Sequence, residues 1–158
     1  MCPAILASSG EWSVSNQEVT AVAQRILQEL QKYVPPTLLP AFQYCLDHLP
    51  NPFTVEQAAE ACGIKRRALE YRFRKSRLPP PGRCLALCRL LLAVHQLEHG
   101  TDSVEHVAST HGFGTAAALR KSLTRHLGAA PHDLRTDGTF EAALAAFLEG
   151  FPRRGRIR

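Results

Sequence analysis

The sequence predicts an all-α fold: two helix-turn-helix lobes joined by a long linker helix and preceded by an N-terminal amphipathic helix. Three observations predict it. One unit occurs twice, with Val55, Ala59 and Gly63 recurring 49 residues later as Val104, Ala108 and Gly112, and Leu69 and Phe73 recurring 50 residues later as Leu119 and Leu123. The most apolar stretch, 83–98, lies between the two copies. No segment alternates with the period of two that a half-buried strand requires.

Taken in order, residues 1–14 show no periodicity and read as a tail. Ser15 with Glu18 is a capping-box pattern. Val19, Val22, Ala23, Ile26, Leu27, Leu30 and Val34 then repeat at three and four, predicting one amphipathic helix that Pro35-Pro36 ends. A second helix is expected over 38–49, stopped by Pro50-Asn51-Pro52. Thr54 with Gln57 is another capping box and opens the first unit. In each unit a small alanine permits close helix crossing, and a glycine supplies the left-handed conformation that ends the first helix. The apolar residue after that glycine plugs the joint. Leucine and an apolar residue four later fill the inner face of the second helix. The second turn is one residue longer.

Pro79-Pro80-Pro81-Gly82 is a rigid break that launches the linker helix. Leu85, Leu87, Leu90, Leu91, Leu92, Val94 and Leu97 place apolar groups nearly all round it, so burial between the lobes is expected. Gly100 ends it, and Asp102 with Glu105 is expected to cap the next helix. Gly128 closes the second unit, a short helix runs from Pro131 through Arg135, and 139–151 reads as a last helix. The tail Arg153-Arg154-Gly155-Arg156-Ile157-Arg158 is basic.

The net charge of +5 makes an anionic partner plausible, and its placement says more than its size. Lys65, Arg66, Arg67, Arg72, Arg74, Lys75 and Arg77 crowd one short segment. Arg120, Lys121 and Arg125 occupy the equivalent segment of the second copy. No stretch reaches the ~18 apolar residues that span a bilayer. The start lacks the charged and apolar regions of a signal peptide. Five cysteines, an odd number without framework spacing, suggest free thiols in a reducing cytoplasm. Cys84, Cys88, His95 and His99 share one side of the linker helix. Cys88 and His95 are ~10 Å apart along the axis, too far for one ion with ~2 Å bonds, so no metal is expected. No cofactor is expected, and neither a Gly-rich phosphate loop nor a Ser-His-Asp arrangement supports an enzyme.

The arrangement over 40–136 resembles the DNA-binding domain of the AraC/XylS family of bacterial transcription regulators. The residues that carry the resemblance are the paired units in register, the apolar helix between them, and the ending Gly112-Phe113, Leu119, Leu123, Arg125-His126-Leu127-Gly128, Ala130-Pro131-His132-Asp133-Leu134-Arg135. Here leucines stand at 119, 123 and 127, where the family often has aromatics. The resemblance implies a sequence-specific regulator of double-stranded DNA, cytoplasmic and nucleoid-associated when bound. Its recognition helices, 65–76 and 115–127, would enter successive major grooves roughly 34 Å apart. It divides the chain into 1–39, a 40–136 tandem module and 137–158. Residues 1–39 are too short for a sensing domain.

In the first recognition helix Leu69 and Phe73 face inward, leaving Arg66, Arg67, Glu70, Tyr71 and Arg74 for DNA. Arginine can bond guanine O6 and N7 together, and a glutamate can accept from cytosine N4. The second helix offers Thr115, Ala116, Arg120 and Lys121, with Thr115 near the dipole end that favours phosphate. Ala116 and Ala117 offer few hydrogen bonds to bases. They keep a second reading open, a protein-interaction adaptor of the same fold that engages RNA polymerase or another regulator with weak DNA contacts. The 16–34 helix can pack within the chain, which is favoured, or join two chains as a weak dimer.

Overall fold

The computed structural model describes residues 16–48, 51 and 53–152. Among them lie α1 (Asn16–Leu30), α2 (Leu39–Asp47), α3 (Val55–Ala61), α4 (Arg66–Lys75), α5 (Pro81–His99), α6 (Val104–Thr110), α7 (Ala116–Leu127), a 3-10 helix (Pro131–Arg135) and α8 (Thr139–Glu149). No described residue is in a strand. The readings made for residues 1–14, Ser15, Leu49, Pro50, Pro52 and the tail 153–158 lie outside the described residues.

The apolar stripe of α1 is spent within the chain. Ala23, Ile26 and Leu30 are buried against α2 and α5, and Arg25 pairs with Glu141 of α8. The helix ends at Leu30, earlier than its periodicity suggests. Tyr33 and Val34 fold back as a turn on the Leu30 carbonyl, at 2.9 and 2.8 Å. Pro35 excludes helical backbone from the residue before it, so the chain must unwind first. Val34 stays buried all the same.

The linker helix is the spine. It starts at Pro81, two residues before the apolar run, because proline lacks only an N–H that the first turn leaves unused. Its nineteen residues span ~28 Å. Cys84, Leu85, Cys88, Leu90, Leu91, Leu92, Ala93, Val94 and Leu97 are all buried, packing against α1, α2, α8 and both units. Burial pushes the thiols of Cys45 and Cys84 up to about 12 and that of Cys88 well above its ordinary value, so these cysteines behave as small apolar groups.

Two polar residues of this helix are buried as well, which its apolar count conceals. Arg89 donates from Nε to the Cys45 carbonyl at 3.0 Å and lies over the Phe53 ring, 4.9 Å from its centroid. Gln96 donates to Asp102 at 2.6 Å and accepts from His111 Nε2–H at 2.6 Å. Asp102 therefore does not cap α6 as its sequence position suggests. Ser103 takes that role, its hydroxyl accepting from the His106 N–H at 3.1 Å. Two side chains then clamp the far end of α5. Arg135 donates to the carbonyls of Leu97, Gly100 and Asp102, closing the helix C-terminus. Glu98 accepts from the N–H groups of Gly138 and Phe140, fixing the start of α8.

His111 generates a prediction. It is 1% exposed, and burial, with the Arg89 cation nearby, lowers its pKa to about 3 from an ordinary 6.5. The folded state thus keeps this ring neutral while the unfolded chain protonates it. Stability from this site is complete above pH 6.5 and is lost as pH falls towards 3. Between pH 7 and pH 5 the fall should be roughly 2 kcal/mol. Urea denaturation of the wild type and of His111→Gln at both values checks it, with a much flatter pH dependence expected for the variant.

Candidate nucleic-acid interface

Both units turn by the same hydrogen bonds. In the first, Ile64 N–H bonds the Ala59 carbonyl at 3.1 Å across Gly63, whose φ is 71°. In the second, Phe113 N–H bonds the Ala108 carbonyl at 2.9 Å across Gly112, whose φ is 80°. Each is a six-to-one helix ending that needs the left-handed residue glycine supplies most readily. The alanine that accepts the bond is fully buried in both units. The extra residue of the second turn is Gly114, also left-handed at φ 80°. The turns are followed by different starts. Thr115 caps α7, its hydroxyl accepting from Ala118 N–H at 3.1 Å, whereas Lys65 at the start of α4 makes no side-chain cap. The Thr54–Gln57 capping box forms, at 3.1 and 3.0 Å, and aims α3 into the first turn.

Leu69 and Phe73 anchor α4 from below, both at 0% exposure, with Phe73 stacked on Phe42 of α2. At 100° per residue, the side opposite them carries Arg67, Tyr71, Arg74 and Lys75. All four are exposed, Tyr71 to 56%, and Lys75 lies 6.0 Å from the Tyr71 ring centroid. Arg66 and Glu70 are not part of this outer face. Arg66 lies on the flank, bonded to Glu56 of α3 at 2.7 Å and to Glu70 at 2.8 Å. These bonds raise the Arg66 pKa, and the Arg66 guanidinium holds the Glu56 carboxyl below its ordinary range. Of the five residues expected in the first helix, the structure thus groups Arg67, Tyr71 and Arg74 and sets Arg66 and Glu70 apart as an ion-paired strut.

In α7, Leu119 and Leu123 hold the inner positions at 0% exposure. The outer side opposite them carries Ala117, Lys121, Thr124 and Arg125, all exposed. Lys121 stands where Tyr71 stands, and Ala117 where Arg67 stands. Arg120 is exposed on the flank, in the position of Glu70, and Ala116 is half-buried in the position of Arg66. The sequence reading placed Lys75 and its counterpart Arg125 in the basic clusters but not among the DNA-facing residues, and it did not name Thr124. The 50-residue offset, applied to Arg74, finds Thr124, and the helical period places Lys75 and Arg125 on the outward side. Arg83, at the start of α5, completes the surface. It lines one cleft with Arg66, Glu70 and Arg74, and another with Arg125 and His126, so positive groups run from one unit to the other.

The helix-turn-helix domain family matches residues 58–137. An AraC-like transcription regulator of Streptomyces lividans is 31% identical over 96 residues, which are 60% of this chain and 32% of that protein. The HTH-type transcriptional activator RhaS of Escherichia fergusonii is 29% identical over 89 residues, 56% of this chain and 32% of that protein. The chain thus spans about a third of the length of the curated relatives it matches. The crystal structure of the DNA-binding domain of AdpA, a global transcriptional factor, in complex with a target DNA, is similar with a TM-score of 0.57 at 34% identity. That similarity covers 64% of this chain and 91% of that one.

One residue on this surface is strained. Arg77 has φ 61°, left-handed backbone without the freedom of glycine, where the chain leaves α4 through a Leu78 N–H bond to the Phe73 carbonyl at 2.9 Å. A side chain there costs on the order of 1 kcal/mol. Arg77→Gly should therefore raise stability by about that amount while removing one exposed cation. Chemical denaturation, together with elution from a heparin column at lower salt, checks both halves.

Proposed function

Because the chain belongs to the AraC-type helix-turn-helix family, we propose that it is a non-catalytic transcriptional regulator that binds double-stranded DNA in a sequence-specific manner. The 40–136 module is its DNA-binding part, with α4 and α7 entering successive major grooves. The observation that carries this reading is the pair of exposed faces at matched positions, Arg67, Tyr71, Arg74 and Lys75 on α4, and Ala117, Lys121, Thr124 and Arg125 on α7, held apart by one buried helix. AdpA, similar to this chain over 64% of its length, is described with a target DNA, which supports the same use of this fold.

The faces are unequal, and so are the roles we assign them. Arg67 and Arg74 can each bond a guanine edge, and Tyr71 can stack or reach a phosphate. On α7, Lys121 and Arg125 suit phosphates, Thr115 and Thr124 add short hydroxyls, and Ala116 and Ala117 can meet thymine methyls or allow close backbone approach. Arg120 and Arg83 contribute charge beside the helices. Arg66 and Glu70 act mainly by bracing α4 against α3. The site of action is the cytoplasm, at the nucleoid when DNA is bound. Exposed Ala117, on the outer face of α7 in its first turn, favours a second reading in which the module works chiefly by engaging RNA polymerase or a partner regulator. A gel-shift assay against random-sequence DNA followed by selection separates the two, because an adaptor would enrich no site.

Two measurements test the main reading further. Neutralising about six phosphates should give a log-log salt slope near −5, at ~0.9 per phosphate, and a slope shallower than about −2 would mean that only one unit engages. On the selected site, Arg67→Ala should cost about 1 to 3 kcal/mol and relax specificity at one position. Lys121→Ala should weaken selected and scrambled DNA alike. The reverse pattern would transfer base reading to the second unit.

A further inference from the structure

The helix that follows the family-matched segment makes a cavity of its own. Residues 58–137 match the family, and α8 begins at Thr139. Packed along α5, it leaves a space of about 270 Å³ walled by Leu87, Leu90 and Leu91 of α5, Ala143 and Phe147 of α8, and Phe151. A dry apolar cavity of roughly 150 Å³ is enough to hold benzene, so this one accepts an apolar body on the order of ten non-hydrogen atoms.

Among the described residues, the one charged side chain that lines this cavity is the cation Arg83. Arg83 and His126 line it, and both also line a neighbouring cleft of about 520 Å³ that adds Arg125. They therefore stand between the apolar space and the cleft. Among the described residues, no carboxylate lines either one. His126 Nδ1 is shielded from solvent and has no hydrogen-bond partner. Burial, with smaller contributions from the charges of Arg83 and Arg125, holds the His126 pKa below its ordinary value.

We propose that this joint binds a small amphipathic carboxylate, with its hydrocarbon body among the leucines and Phe147 and its carboxylate on Arg83 and His126. A guanidinium fork matches a carboxylate in geometry, and a single negative charge suits a site with two donors at its mouth. The apolar part matches the walls, as ligand pockets with few polar groups require. The ligand would also touch Leu127, in the last turn of α7, so its occupancy bears on the second lobe. This goes beyond the proposed DNA binding and does not depend on it.

Calorimetric titration of the full chain, without DNA, with octanoate and with 1-octanol tests the proposal. Octanoate should bind at least tenfold more tightly than the alcohol. Arg83→Gln and His126→Gln should each reduce that preference. Octanoate should move the His126 ring titration, followed by NMR, to higher pH. Ala146 is exposed on α8 and lines the same cavity, so Ala146→Phe should block both ligands without disturbing the core. Circular dichroism melting verifies that each variant is folded. Equal binding of acid and alcohol, no octanoate binding at millimolar concentration, or wild-type binding by folded Ala146→Phe would each overturn the proposal.

Discussion

Burial of one helix is the constraint on which the rest of this molecule depends. Neither unit contains enough apolar surface to stand alone. α3 and α6 have seven residues each, and helices that short are not stable without tertiary packing. Each lobe therefore completes its core against α5, and so do α1, α2 and α8. A helix used on every side in this way cannot tilt towards one lobe without opening another. The same burial that stabilises the fold thus fixes the separation of α4 and α7, with no flexible tether between them.

Hydrogen bonds at the ends of α5 convert that apolar spine into a specific geometry. Hydrophobic packing is non-directional and tolerates sliding. The bonds from Arg135 to three carbonyls, from two backbone N–H groups to the Glu98 carboxylate, and along His111, Gln96 and Asp102 do not. They join α5 to the 3-10 helix, to α8 and to the second turn. Arg89 does the same for the first lobe through the Cys45 carbonyl. Buried polar groups of this kind are costly to leave unpaired, so each one selects a single register over near alternatives.

The recognition surface combines paired and unpaired charge, and the two kinds act differently. Arg66 has two carboxylate neighbours and little freedom to turn outward. Its worth lies in bracing α4 against α3, and at its exposure the pairs themselves add little stability. Arg67, Arg74, Lys121 and Arg125 are exposed and carry no ion pair among the described residues, so their charge faces outward. Arg77 sits in strained backbone beside them.

Much of this was legible in the sequence because it depends on neighbours within a turn or two. The repeat, the left-handed Gly63 and Gly112, the Thr54–Gln57 capping box, the buried leucines of α5 and the inward Leu69, Phe73, Leu119 and Leu123 follow from backbone preference and helical period alone. Tertiary structure decided which distant groups meet. It gave Asp102 to Gln96 and left the cap of α6 to Ser103. It placed Glu56 of α3 beside Arg66, and it buried Arg89, Gln96 and His111 within an apparently apolar joint. It also set α8 along α5 so that Arg83 and His126 share a cavity. Periodicity assigns a residue to a face of its own helix. What that face meets depends on the crossing of helices far apart in the chain, and no local pattern encodes that crossing.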